Sequence, residues 1–321
     1  MRNLVTGING FAASHLADSL IAKGEEVFGL ARNPEKNENI RHHGECIKVF
    51  PCDIRKPAEV QQVLETVRPQ RIYHLASVTF VPAVAQDWNA SFDTIFFGTS
   101  NLLEAVKQAR LQARILWVGS SEEYGMPPPE EYPLKENRVL APLSLYGVAK
   151  ASADVLADSY VRREGFDLVR VRPFNHIGPR QESRFASSSF ARQIAQIEAG
   201  ASPVIKVGNL EARKDFTDVR DTVRAYHAIM EKGLAGEVYN VCTGKSISVK
   251  SILEGLVSHA SLPISVEIDP ERYRPEPPVN YYGDHSLLTR RTGWFPEIPI
   301  QTTLRDILDY WRLQVDLGKQ G

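Results

Sequence analysis

Tyr146 and Lys150 stand four residues apart in the run Leu145-Tyr146-Gly147-Val148-Ala149-Lys150, 26 residues after Ser120. On a helix, residues at i and i+4 share one face. A phenol has an unperturbed pKa near 10 and is a poor acid or base at neutral pH, but a lysine ammonium within about 4–6 Å favours its phenolate. The pair therefore reads as a proton-transfer couple in which the lysine tunes the tyrosine. Taken alone, the same spacing suits two positions on an amphipathic surface helix, so its meaning depends on the elements that carry it.

Those elements alternate. Short apolar runs at about 2–6, 26–31, 47–51, 71–75, 114–119 and 167–172 read as strands, separated by helical patterns at about 10–23, 57–67, 90–110 and 144–163. This is the signature of βαβ units and a parallel sheet buried on both faces. Further on, Val204–Val207 and Val238–Cys242 read as strands, and 216–232, 249–260 and 303–314 as helices, with prolines punctuating the loops between them. Such loops suit a pocket. The expected fold class is α/β: a Rossmann-type doubly wound parallel sheet over residues 1–172, taking back about 212–240, with a smaller C-terminal α/β substrate-binding domain over 173–321.

Composition narrows the partners. The chain has 321 residues, 43% hydrophobic and 24% charged, with a formal net charge of −1, so it can bury a full core and carries no basic footprint for nucleic acid or a membrane surface. Small molecules are the expected ligands. Cys46, Cys52 and Cys242 are odd in number and lack metal-ligand spacing, so they are expected as buried thiols rather than metal ligands. No apolar run approaches the length of a membrane span and no leader pattern is seen, which points to the cytoplasm.

Thr6-Gly7-Ile8-Asn9-Gly10-Phe11-Ala12-Ala13 follows the first strand and opens the first helix. A glycine turn there lets a pyrophosphate reach backbone N–H groups at a helix N-terminus, so Gly7, Asn9, Gly10 and Phe11 are candidate dinucleotide contacts. An NAD site usually places a carboxylate about 20 residues on; here the second strand ends Ala31-Arg32-Asn33. Arg32 is the residue to pair with a 2′-phosphate, which favours NADP(H), with NAD(H) as the alternative. Asp53 and Ile54 after the third strand are candidates for the adenine, although Asp53 reads equally well as a turn or cap residue. Leu75, Ala76 and Ser77 after the fourth strand would line the pyrophosphate.

Ser120-Ser121-Glu122-Glu123-Tyr124-Gly125 ends the fifth strand, at the carboxyl edge where α/β ligand crevices lie. With Thr6-Gly7-x-x-Gly10-Phe11, Tyr146-x-x-x-Lys150, Arg172-Pro173-Phe174-Asn175-His176-Ile177-Gly178-Pro179, Asp215-Phe216-Thr217-Asp218-Val219-Arg220-Asp221 and Tyr239-Asn240-Val241-Cys242, the chain resembles the extended short-chain dehydrogenase/reductases that modify nucleotide sugars. Within them it is most similar to the reductases that turn GDP-4-keto-6-deoxy-D-mannose into GDP-D-rhamnose. The resemblance implies that Tyr146 protonates the C4 oxygen as hydride reaches C4, that Lys150 holds the nicotinamide ribose and lowers the tyrosine pKa, and that Ser120 hydrogen-bonds the reacting oxygen. It also implies cofactor contacts from Pro173 and substrate contacts from Ser121, Glu122, Asn175, Arg213 and Arg274. For Lys206, Arg180, Arg184 and Arg220 a solvated face is the expectation.

Glu122 sits where GDP-mannose 4,6-dehydratases carry a C5 base, and is read here as a substrate-positioning carboxylate. Phe11 stands where those enzymes typically show Gln-Asp. The helices at 90–110 and 144–163 match the pair that forms a four-helix homodimer interface in the superfamily. Two further enzyme readings stay open, a GDP-mannose 4,6-dehydratase and a nucleotide-sugar 4-epimerase. From another class comes a non-catalytic NAD(P)-binding scaffold or sensor, in which the tyrosine or lysine would be missing; both are present.

Overall fold

The computed structural model describes residues 1–273 and 280–319. The first half runs β1 (Arg2–Thr6), α1 (Phe11–Ala22), β2 (Glu26–Ala31), β3 (Ile47–Pro51), α2 (Pro57–Val67) and β4 (Arg71–His74). It continues through α3 (Val81–Gln86), α4 (Trp88–Phe92), α5 (Gly98–Gln108), β5 (Arg114–Val118), α6 (Leu145–Glu164) and β6 (Leu168–Pro173). The remainder comprises β7 (Asn175–Ile177), α7 (Ala186–Glu198), β8 (Val204–Val207), β9 (Arg213–Lys214), β10 (Phe216–Asp218) and α8 (Val219–Lys232). Last come β11 (Val238–Val241), β12 (Ile247–Ser248), α9 (Val249–Val257), β13 (Ser265–Ile268), β14 (Asn280–Tyr281), α10 (Ser286–Thr292) and α11 (Ile300–Lys319).

Seven parallel strands form the main sheet in the order β11-β6-β5-β4-β1-β2-β3. Side chains alternate between its faces, as the pleat requires. Leu4, Ile72, Ile115, Trp117 and Leu168 join the core under α2, α5 and α6, whereas Val5, Tyr73, Leu116, Val169 and Val171 join the core under α1 and α8. A third core, from Phe190, Ile194, Ile205, Leu256, Leu304 and Ile307, holds α7, α9 and α11 together.

The expected strands of the first half are present to within one residue at either end. The expected helix over 90–110 is broken up: α4 passes through one wider helical turn at Asp93–Phe97 before α5 begins. Phe216–Asp218, expected as helix, is strand β10 paired with β7, and the Asp218 carboxylate caps α8 by accepting from Arg220 N at 2.7 Å. Helix α7 was not read from the sequence, where three consecutive serines obscure its apolar face, although Ser187 and Ser188 are buried in it. Among the described residues, no helix is long and apolar enough to cross a membrane.

The strand order reverses between β1 and β4, and the two carboxyl ends are tied there. The Thr6 hydroxyl accepts from Leu75 N at 3.1 Å and Ala76 N at 3.0 Å, and lies 2.8 Å from His74 Nδ1. The Thr99 hydroxyl gives its proton to the Ile95 carbonyl at 2.7 Å, so it must accept from His74 Nε2 at 3.1 Å. His74 Nδ1 is then bare and accepts from Thr6. Burial, with Lys150 nearby, pushes the His74 pKa down to about 3, which keeps this neutral tautomer. Thr6→Val preserves the shape but leaves two backbone N–H groups without an acceptor. It should lower unfolding free energy by about 1–3 kcal/mol, measured by urea denaturation; an unchanged midpoint would mean the bridge contributes nothing.

Candidate active site

Gly7 begins the crevice. Its φ is +70°, and a Cβ there would lie 3.0 Å from Ala76 Cα, so the turn needs glycine both for its conformation and for the close approach of the two loops. Gly10 precedes α1 with extended backbone, and the first turn of α1 has neither an acidic residue nor a side-chain cap. The positive end of the helix is therefore uncompensated, as an anion site requires. Asn9 Nδ2 donates to Asn33 O at 3.0 Å, and its buried Oδ1 has no partner. The Phe11 ring stacks on His176, with centroids 5.8 Å apart.

Arg32 is exposed at the end of β2. Asp53 faces it electrostatically but is bound by Arg55: Arg55 Nε lies 2.9 Å from Oδ1 and its terminal nitrogen 2.5 Å from Oδ2. With Arg55 N also donating to Oδ1 at 3.0 Å, Asp53 adopts the turn role that its sequence context left open. Ile54 is buried and its carbonyl accepts from Asn101 Nδ2 at 3.0 Å, while Leu75, Ala76 and Ser77 are half-buried along the crevice.

At the end of β5, Ser120 caps a short helical turn at Ser121–Tyr124, accepting from Glu122 N at 3.2 Å. Helix α6 starts with Ser144, whose hydroxyl accepts from Gly147 N at 3.0 Å and donates to Glu122 Oε2 at 3.1 Å. That contact docks the first turn of α6 against the serine turn and brings Tyr146 to Ser120. Tyr146 is 7% exposed, and burial pushes its phenol above the ordinary value, opposed by a hydrogen bond from Ser120. Lys150 is 5% exposed; its Nζ donates to Val118 O at 2.7 Å and lies 5.4 Å from the centre of the Trp117 ring. Burial lowers its pKa to about 8, with Glu123 acting in the opposite direction. Burial is thus the largest influence on Tyr146, and the Lys150 ammonium is directed to the backbone of β5.

Ser120, Glu122, Tyr146 and Lys150 come together, and Pro173 ends β6 beside them in the sheet. Ser121 is buried, and its carbonyl accepts from the Tyr281 hydroxyl. Asn175 is half-buried on β7. Arg213 is exposed on β9, donating to Asn280 Oδ1 at 2.6 Å and Ser246 O at 3.2 Å. Arg274 lies outside the described residues.

Several residues escaped the sequence reading. Behind Ser120, Glu123, Asp154 and Arg172 form a buried ionic group whose only linear trace is the Ser-x-x-Glu capping spacing of Ser120 and Glu123. Arg180, expected on a solvated face, is 14% exposed and holds Asp18 and His15. Asp18 also meets His42 and His43, at 3.1 and 2.6 Å. The Arg180 guanidinium contacts both Asp18 oxygens, so this carboxylate already has a counter-charge. Arg220 pairs with Asp218 and Asp306. Cys46 is exposed, against expectation, whereas Cys52 and Cys242 are buried.

A profile of the family described as GDP-mannose 4,6 dehydratase matches residues 4–307. The chain is 32% identical to GDP-6-deoxy-D-mannose reductase of Pseudomonas aeruginosa, over 98% of both chains. It is 26% identical to GDP-mannose 4,6-dehydratase of Vibrio cholerae, over 95% of this chain and 92% of the other. Among solved structures, RMD from Pseudomonas aeruginosa complexed with NADPH superposes with a TM-score of 0.85 at 31% identity, covering 98% of this chain and 99% of that one. UDP-glucose 4-epimerase of Thermus thermophilus in complex with NAD gives 0.86 at 25% identity, covering 97% and 99%.

Lys150 carries a cost that can be measured. A lysine whose folded pKa is depressed destabilises the fold at every pH where the unfolded chain would be charged, and the cost fades as pH rises from about 8 towards the ordinary lysine value. Lys150→Met should therefore raise unfolding free energy at neutral pH by about 1–3 kcal/mol, with the gain shrinking at alkaline pH, while turnover is lost. Denaturation at the two pH values checks this; a variant less stable at neutral pH would mean that the ammonium is stabilising.

Proposed function

The chain belongs to the GDP-mannose 4,6-dehydratase family of nucleotide-sugar enzymes, and from that membership we propose that it is an NADPH-dependent 4-ketoreductase converting GDP-4-keto-6-deoxy-D-mannose into GDP-D-rhamnose. The observation that carries this reading is the full-length identity, 32% to the reductase over 98% of both chains against 26% to the dehydratase. Ketone reduction begins with a proton donor, and burial, which raises the Tyr146 phenol above its ordinary value, suits it to that role.

The residues around the crevice fit a dinucleotide: the Gly7 turn against Ala76, the bare N-terminus of α1, and Arg32 where a 2′-phosphate would lie, with NADH as a weaker alternative. Bound there, the reduced nicotinamide supplies the hydride. Ser120 and Tyr146 direct their hydroxyls at the C4 oxygen, and Tyr146 gives up its proton as the carbonyl becomes an alcohol. Lys150 then compensates the phenolate charge. Glu122, tethered by Ser144, and Ser121 orient the hexose, while Asn175, Arg213 and Arg274 contact the nucleotide diphosphate. In this reading residues 1–172, with about 212–240, serve the cofactor and 173–321 the sugar nucleotide. The protein works in the cytoplasm as a homodimer through α5 and α6; Val155 is exposed on α6, and Phe97 on the wide turn that leads into α5.

A dehydratase is the second reading, because Glu122 bears electrostatically on Tyr146 from where a C5 base would act. Stoichiometry separates the two. The 4-keto-6-deoxy sugar should oxidise one NADPH per product, and Tyr146→Phe should cut turnover by roughly 10²–10⁴ with binding retained. GDP-mannose alone should stay unchanged; its dehydration without added reductant, abolished by Glu122→Gln, overturns the reductase reading. For the cofactor, Arg32→Ala should weaken NADPH by about ten- to a hundredfold and leave NADH nearly unaffected. Equal losses would show that Arg32 does not read the 2′-phosphate.

A further inference from the structure

Behind Ser120 lies a cluster of charged side chains held almost entirely out of water. Glu123 is 0% exposed, Asp154 1% and the Arg172 side chain 6%. Such groups are almost never fully buried unless paired. Arg172 Nε lies 2.9 Å from Glu123 Oε2 and 2.9 Å from Asp154 Oδ2, so one N–H hydrogen faces two carboxyl oxygens. The other guanidinium nitrogens are engaged elsewhere: one with Asp154 Oδ2 at 2.5 Å, the other with the Tyr124 hydroxyl and Glu136 O, both at 3.2 Å. Arg170 reaches Asp154 Oδ1 at 2.7 Å but divides its charge with Asp158. Two carboxylates crowded on one nitrogen would repel each other, and a proton between Oε2 and Oδ2 turns that repulsion into a hydrogen bond.

The remaining oxygen of Glu123 points at the reaction. Oε1 accepts from Ser120 N at 2.7 Å, and Gly119 leaves it room, since a Cβ at that residue would lie 2.4 Å from Oε1. We propose that Glu123 is a positioning residue: it shares a single proton with Asp154 across Arg172 and, through the Ser120 amide, sets the Ser120 hydroxyl against the reacting oxygen. Burial and then the Asp154 charge raise the Glu123 carboxyl well above its ordinary value, whereas Asp154, although burial opposes it, is held low by Arg172. The proton therefore resides on Glu123.

The role in turnover rests on the ketoreductase reading; the shared proton does not. Glu123→Gln mimics the protonated acid, its amide oxygen accepting from Ser120 N and its amide N–H donating to Asp154 while Arg172 Nε keeps Asp154. Infrared spectra of the wild-type protein should contain a buried carboxylic-acid carbonyl band that shifts in heavy water and is lost in Glu123→Gln; no such band overturns the shared proton whatever the substrate proves to be. With the nucleotide sugar the wild type accepts, Glu123→Gln should keep kcat within about threefold, while Glu123→Leu should lose at least about tenfold in kcat with KM nearly unchanged. A folded Glu123→Gln that loses tenfold or more, or a Glu123→Leu that turns over normally, overturns the positioning role. If Glu123→Leu does not fold, the Gln variant still decides.

Discussion

A lysine ammonium held almost out of water at the carboxyl edge of the sheet is the constraint around which the site is built. Lys150 has the Val118 carbonyl on one side and the Trp117 ring on another, two partial charges in place of a hydration shell. Neither is a full counter-ion. Its neighbours are accordingly those that tolerate a cation: His74 is kept neutral by burial and by its fixed tautomer, and Tyr146, on the same face of α6, retains its proton. In the proposed reduction, a site that stabilises negative charge on an oxygen for an instant would thus hold its positive charge in reserve.

The helix that carries this lysine is positioned by polar contacts as well as by its apolar face. Ser144 both caps α6 and binds Glu122, so one hydroxyl sets the helix start and its docking to the serine turn. Further along, Asp154 leaves the same helix to meet Arg172 on β6 and, through it, Glu123 on the turn. The two polar anchors, at Ser144 and Asp154, bracket Tyr146 and Lys150 on the helix. On the cofactor side, Thr6 has the equivalent task, holding the loop after β4 against the glycine turn.

The candidate residues that the structure brings together were legible because local spacing encodes them. A glycine turn between a strand and a helix, a tyrosine and a lysine one helical turn apart, and a serine at a strand end each need only their own few neighbours to take shape. Strand and helix periodicity likewise reads directly wherever a sheet is buried on both faces, and all seven strands of the main sheet follow that pattern closely. The short strands β7, β9, β10, β12 and β14 escaped because two or three residues carry no period, and β10 exists only because β7 lies beside it.

Sequence alone determined the fold class and the cofactor crevice, and singled out Ser120, Tyr146 and Lys150 as candidates, since these depend on contacts within a turn or on the pleat of a strand. Tertiary structure alone decided the charge states. Lys150 and Tyr146 depart from solution behaviour in directions that follow from burial, and burial is a property of what folds over a residue from far along the chain. It also decided that Glu123, adjacent to an obvious catalytic candidate, faces an arginine 49 residues away and an aspartate on the lysine helix. Linear order holds no measure of such distances, because the free energy of a buried charge is set by the dielectric and the partners that surround it in space.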